Sequence, residues 1–223
     1  MNLSLPPLSK TFQGEPAFSL NTPEIQLSPD GYTAVIGKNG SGKSTFGEAL
    51  AESTQNSTRW RWNYLPQYLE RFLFAENVVE QLSSLLSQKI DCSRLTDLIQ
   101  DFGFDDPQKM LEFPFLLMSG GERRRMALVC VFYLEPQYLI LDEPEIGVTA
   151  KENMVLLSKL NNLQALNARL VVISHNYEFV KHSTTLICLK GGKVDRVGRT
   201  VELLAEPTFQ VKEYGVRFEP ENG

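Results

Sequence analysis

The sequence predicts an α/β fold: a mostly parallel, largely buried central sheet with a helical region inserted in its middle. Two observations carry this expectation. Continuously apolar runs of strand length ("YTAVI", "YLILD", "RLVVIS", "TTLICL") alternate with stretches of helical spacing, and a strand without a polar face has to be covered by helices on both sides. Between residues 67 and 134 the alternation gives way to helical spacing alone.

The elements follow in order. "AFSLNTPEIQLSPDG" reads as short strands broken by Pro and Asp-Gly turns, and Tyr32 to Ile36 as a buried strand. Thr45 to Glu52 predicts a helix that "STQNST" stops, and "RWRWNYLP" alternates basic and aromatic side chains as a half-wet strand does. Next come "ENVVEQLSSLLSQ", with Asn77 as N-cap and Glu80 three positions on, then "SRLTDLIQDFGF" and "DDPQKMLEF", all helical. From about residue 137 the order is strand "YLILDEP", helix "AKENMVLLSKLNNLQAL", strand "RLVVIS", short helix "NYEFVKH" and strands "TTLICL" and "KVDRVG"; the tail "RFEPENG" reads as frayed. The expected organisation is one domain over residues 1–205, with a core from 1–66 and 135–205 and a helical part at 67–134, followed by a C-terminal extension at 206–223.

Composition bounds the function. The chain has 223 residues, 42% of them apolar, enough for a sizeable core. A net charge of −5 gives no general attraction to nucleic acid or to an anionic membrane. No apolar run is long enough to span a bilayer, and the first residues lack a signal-peptide layout, so the expected location is the cytoplasm. Cys92, Cys130 and Cys188 are widely spaced, which argues against a disulfide scaffold or a zinc site and predicts buried thiols that act as small hydrophobes.

The chemistry starts at "GKNGSGKST", residues 37–45. Gly37, Gly42, Lys43 and Ser44 satisfy the P-loop pattern between a predicted strand and a predicted helix, the context that makes the pattern meaningful. Glycines let backbone N–H groups curl round a phosphate, and the helix N-terminus adds a positive field. Lys43 is expected to reach the β- and γ-phosphates and the Ser44 hydroxyl to ligate Mg²⁺. Asp142 ends the apolar run "YLILD", so its carboxylate is expected at the sheet edge where the P-loop lies, able to hold the same ion directly or through water. Glu143 beside it is placed to polarise an attacking water.

Between these motifs lies "LMSGGERRRMAL", and with "YLPQ", "LDEP" and "ISHN" in that order the chain resembles the nucleotide-binding domain of ABC ATPases from about residue 10 to 205. The resemblance implies a P-loop NTPase fold of ABC type, with a mostly parallel central sheet, a trimmed N-terminal β-subdomain and an inserted helical subdomain. It makes the loop Gly37, Lys38, Asn39, Gly40, Ser41, Gly42, Lys43, Ser44 and Thr45 the ATP-binding Walker A element, and Gln67 the Q-loop glutamine that shares the metal with Ser44 and Asp142. It makes Ser119, Gly120, Gly121 and Glu122 the signature that meets the γ-phosphate held by a second cassette, Glu143 the catalytic glutamate, His175 the switch histidine and Phe12 the aromatic that stacks on adenine, with Phe18 a neighbouring alternative. Ser119 is suited to cap the signature helix and leave its N–H groups facing an anion.

The implied cofactors are ATP and Mg²⁺, and the implied activity is an Mg-dependent ATPase working as a head-to-tail dimer. The implied partner is a separate membrane-spanning permease subunit, with this chain peripheral on the cytoplasmic face and no nucleic acid expected. The rival reading is a soluble ABC-type ATPase of DNA repair, chromosome maintenance, translation or defence. "RWRW" lends it weight, since basic and aromatic side chains interleave in nucleic-acid contacts, although a half-buried strand explains the run more simply. Phe72, Leu73 and Phe74 offer an apolar docking lip or, alternatively, core. "ERRRM" reads as the solvated face of the signature helix. Thr149 stands where the family commonly has an aspartate, the interval from Lys43 to Gln67 is short, and Met118 replaces the usual leucine, a volume-conserving change.

Overall fold

The computed structural model describes residues 3–13, 17–27, 30–54, 63–69 and 72–218. "RWRW" lies outside the described residues. The chain divides into two compact units, residues 1–64, 137–143 and 164–223 in the first and residues 65–136 and 144–163 in the second. The segment 144–163, expected with the core, therefore groups with the helical part.

The strands are β1 (Leu3–Leu5), β2 (Leu8–Phe12), β3 (Phe18–Thr22), β4 (Ile25–Leu27), β5 (Thr33–Ile36), β6 (Asn63–Leu65), β7 (Tyr138–Asp142), β8 (Arg169–Ile173), β9 (Thr185–Lys190) and β10 (Lys193–Arg199). β1 pairs with β4, and the remaining eight form one sheet in the order β2-β3-β10-β9-β5-β8-β7-β6. Strands β9, β5, β8 and β7 run parallel, and β10 turns back antiparallel on β9. The four residues of β5, and four each of β7 and β8, are buried, as strands covered on both faces must be. Their register sets Val35 opposite Ile173 and Ile173 opposite Asp142, so three strands end in one row.

In the first unit the helices are α1 (Lys43–Ser53), α7 (Tyr177–Lys181) and α8 (Thr200–Ala205). Phe46 and Leu50 of α1 pack into a core with Leu20, Val35, Ile140, Ile173 and Leu189, all at most 1% exposed. Each such side chain contributes about 1.5–3 kcal/mol relative to exposure, which ties α1, and the loop that feeds it, to the sheet.

The second unit holds α2 (Val78–Leu85), α3 (Cys92–Asp101), α4 (Pro107–Met110), α5 (Gly120–Leu134) and most of α6 (Ala150–Ala165). Side-chain N-caps start these helices: Asn77 for α2, Asp91 for α3, Asp106 for α4 and Ser119 for α5. Glu80 does not return its bond to Asn77; its carboxylate accepts instead from the Glu76 N–H at 3.4 Å. Met126 to Tyr133 are buried without a break, so α5 is the central helix of its unit.

All three cysteines are free. Cys130 and Cys188 are buried, and burial pushes both thiols up to about 12, leaving them inert. Cys92 departs from expectation: it is exposed, the first residue of α3, whose buried face is Leu95, Leu98 and Ile99. Among the described residues no helix is long and apolar enough to cross a membrane.

Candidate active site

The site in the first unit follows from the row in which β5, β8 and β7 end. Each strand delivers a motif there: Ile36 leads into residues 37–45, Asp142 leads into Glu143, and Ile173 leads through Ser174 to His175. Backbone bonds lock the exits, since the Glu143 N–H donates to the Ile173 carbonyl at 2.8 Å and the Ser174 N–H to the Val35 carbonyl at 3.2 Å.

The P-loop wraps into α1 with Gly42 at φ 101°, a conformation in which L side chains are strained. A β-carbon there would also lie 2.7 Å from the Phe18 ring, so Gly42 is required twice over. Lys38, Asn39 and Gly40 are exposed, Gly37, Ser41 and Lys43 buried, and Ser44 and Thr45 half-buried. The Lys43 ammonium donates to the carbonyls of Gly37 at 2.9 Å and Lys38 at 3.4 Å, which folds the side chain over the loop. Ser41 Oγ is buried without a hydrogen-bond partner among the described residues. A buried hydroxyl of that kind, in a glycine-rich loop that leads into a helix N-terminus, suits an anionic oxygen, so the residues present fit a nucleotide phosphate.

Phe18 packs on Gly42 and is itself half-buried, whereas Phe12, its cross-strand partner, is 43% exposed with ring centroids 6.4 Å apart. Of the two aromatics Phe12 is therefore the more exposed, with the Lys10 ammonium 5.6 Å from its ring centroid.

Asp142 is fully buried, and the Tyr64 hydroxyl donates to its Oδ2 at 2.9 Å. This partner was not foreseen; Tyr64 shows in the sequence only as an aromatic in a short polar strand. Glu143 stands at φ 47°, unusual for a non-glycine residue and a place where strain is stored at functional sites. Its Oε1 lies 3.4 Å from His175 Nε2, while His175 Nδ1 lies 3.0 Å from the Gly215 carbonyl. Carboxylate and imidazole therefore form a pair with both side chains mostly out of water.

Gln67 and the signature belong to the second unit. Gln67 is half-buried just after β6. Ser119 and Glu122 make a reciprocal capping box: Ser119 Oγ accepts from the Glu122 N–H at 3.3 Å and Glu122 Oε2 from the Ser119 N–H at 2.8 Å. The bonds from Ser119 hold the Glu122 carboxyl below the usual carboxylate range. Gly120 is exposed, Gly121 is half-buried beside the Gly147 carbonyl, and Met118 is buried as the leucine it replaces would be.

The expectation for "ERRRM" is corrected. Arg123 alone of the three arginines is solvated; Arg124 is 3% exposed and its Nη1 donates to the Pro66 carbonyl, next to Gln67, at 2.5 Å. Arg125 Nη1 meets Glu152 Oε1 at 2.7 Å and donates to the Phe102 and Gly103 carbonyls. Glu152 in turn accepts from the Thr149 N–H at 2.7 Å through its other oxygen, and its own N–H donates to Thr149 Oγ1. Thr149 thus starts α6 in a capping pair. Tyr68, Phe74, Leu116 and Leu117 are 72%, 59%, 89% and 70% exposed in this unit, while Phe72 and Leu73 are half-buried.

Comparison with known proteins bears on the family and the fold. The ABC transporter family model matches residues 20–145, more than half of the chain. The energy-coupling factor transporter ATP-binding protein EcfA3 of Oenococcus oeni is 27% identical, covering 88% of this chain and 81% of its own length. The zinc import ATP-binding protein ZnuC of Halorhodospira halophila is 26% identical over 89% of this chain and 78% of its own. Among solved structures, the dimeric post-hydrolysis state of the ATP-binding cassette MJ0796 superposes with a TM-score of 0.74 at 16% identity, over 90% of this chain and 99% of that one, which shows a shared fold. With the P-loop and the acidic strand end both inside the matched span, the chain belongs to the ABC transporter family.

Proposed function

We propose that this chain is the ATP-binding and ATP-hydrolysing subunit of an ABC transporter, peripheral on the cytoplasmic face of the membrane, pairing with a second cassette and a membrane-spanning permease. The observation that carries the reading is the common row of strand ends that sets Glu143 and His175 on the edge where the P-loop begins. The names of the relatives, ATP-binding proteins of transporters, support it.

In this reading the residues divide the work. The amides of Lys38 to Thr45 and the Lys43 ammonium take the phosphates, and Phe12 offers its exposed face to the adenine ring. Ser44, Asp142 and, from its place in the motif order, Gln67 would hold Mg²⁺, which supplies charge neutralisation on the phosphates when bound. Tyr64 fixes the direction of the Asp142 carboxylate. Glu143 orients water and takes its proton, and His175, 3.4 Å away, holds the glutamate in place. Ser119, Gly120, Gly121 and Glu122 face the nucleotide of the second cassette. The exposed Tyr68, Phe74, Leu116 and Leu117 provide apolar area for the permease.

Steady-state phosphate release from the wild type, Lys43→Ala and Glu143→Gln tests the enzyme. Expected are loss of ATP binding in Lys43→Ala, and retained binding with turnover lowered about 10²–10⁴-fold in Glu143→Gln. Turnover of Glu143→Gln at the wild-type rate would remove the glutamate from the mechanism. Extraction of native membranes with the tagged chain tests the partner: one stoichiometric multi-span protein is expected, and recovery from the soluble fraction alone would overturn the transport role.

A further inference from the structure

The segment after α8 was expected as a plain extension with a frayed end, yet its last described residues are tied to His175. The Arg217 N–H donates to the His175 carbonyl at 2.6 Å, and the Tyr177 N–H donates to the Arg217 carbonyl at 2.9 Å, so the segment pairs in parallel with the chain at Asn176. The rings of Tyr177 and Phe218 stack with centroids 4.3 Å apart. Upstream, Tyr214 donates its hydroxyl to Asp195 and stacks on Phe209. Both ends of the turn are thereby anchored.

The turn itself bears on the imidazole. Gly215, at φ 78°, lets the chain approach so closely that an added β-carbon would lie 3.3 Å from His175 Nδ1 and 3.4 Å from the Lys38 backbone. Its carbonyl stands 3.0 Å from Nδ1. A carbonyl oxygen only accepts, so Nδ1 carries the proton. Nε2, on the other side of the ring, is the nitrogen turned to Glu143.

We propose that residues 211–218 form a positioning strap: by presenting the Gly215 carbonyl to Nδ1, they fix the tautomer and the direction of the His175 ring that faces Glu143. The strap makes no contact with reacting atoms in this account; Gly215 is a positioning residue that acts through His175. The inference rests on the role given to His175 above, and its test separates the two.

The full chain has two histidines, His175 and His182, so long-range ¹H–¹⁵N spectra of the nucleotide-free protein resolve both rings. In the wild type the His175 proton is expected on Nδ1, bonded to the Gly215 carbonyl. Phe218→Ala, which removes the stacking anchor, and Gly215→Ala, which strains the turn, are expected to shift His175 towards Nε2–H and leave His182 unchanged. In the same variants kcat is expected to fall on the order of tenfold with KM for ATP held within about twofold, the mark of misplacement rather than lost binding. Should Gly215→Ala not fold, Phe218→Ala carries the test alone. An Nε2–H tautomer in the wild type, or one unmoved in the folded variants, overturns the strap. Wild-type turnover by His175→Ala overturns the role of the histidine instead, and leaves the tautomer result standing.

Discussion

Two helix N-termini carry the nucleotide chemistry expected of this chain, and they are built in opposite ways. α1 starts at Gly42 with no side-chain cap and no acidic residue in its first turn, and its first residue is Lys43. α5 starts at Ser119 with a full capping box and the acidic Glu122 in its first turn. Among the described residues no side chain caps the open, basic start of α1, and the positive end of the helix there favours an anion. The start of α5 is complete by itself. A helix end that waits for phosphate suits the primary binding loop; one already capped, with only the glycine amides left over, suits a surface that adds a contact when a second molecule closes.

The supports differ as well. Glycine and backbone geometry shape the P-loop, whereas side chains that reach far along the chain hold α5, above all Arg125 on Glu152 and Arg124 on the Pro66 carbonyl. This contrast predicts where each region breaks. Glu152→Ala leaves the Arg125 guanidinium, 18% exposed, without its carboxylate and removes the acceptor for the Thr149 N–H. A loss of about 3 kcal/mol is expected in denaturant unfolding. Glu152→Gln, which keeps an acceptor, is expected to lose less. Equal stability of Glu152→Ala and wild type would show that α5 does not depend on its side-chain supports.

Gly42→Ala breaks the other region. The strain of a side chain at φ 101°, with a β-carbon 2.7 Å from the Phe18 ring, is expected to cost about 1–3 kcal/mol, read as lower stability and weaker ATP binding together. Alanine at Gly40, where a β-carbon meets nothing within 4 Å, gives the comparison for positive φ alone. If both variants bind ATP as the wild type does, backbone geometry is not what shapes the loop.

The same contrast explains how much could be read from the sequence. The strands, their order and the P-loop were legible because they depend on local pattern: apolar runs, a glycine spacing, a lysine beside a helix start. The sheet row that unites Asp142 and His175 follows from parallel pairing, and was legible once the strands were. Arg124 and Arg125 were misread as solvated because a run of three arginines looks wet from within its own helix, and the partners Pro66 and Glu152 lie far along the chain. Tyr64 on Asp142 and Gly215 on His175 were invisible for the same reason. The cap at Ser119 was legible from its residue type, and the S-x-x-E spacing to Glu122 carries the reciprocal bond that completes the box.

Glu122 supplies the smallest effect and the finest test of the contrast. Its carboxyl is held below its ordinary value by the bonds from Ser119, with Arg125 adding a minor share. A depressed folded-state value means that the ionised form favours the folded chain; the contribution is complete above the ordinary carboxylate range and is lost as pH falls through the folded value. Because the group is largely in water, the contribution is a few tenths of a kcal/mol. Stability curves of the wild type and Glu122→Gln are therefore expected to differ slightly at pH 7 and to converge as pH falls through the lowered folded-state value. A gap that persists at low pH would mean that the charge is not what Glu122 contributes. The capped helix end would then rest on hydrogen bonding alone, and its charge difference from the start of α1 would have no energetic weight in the folded chain.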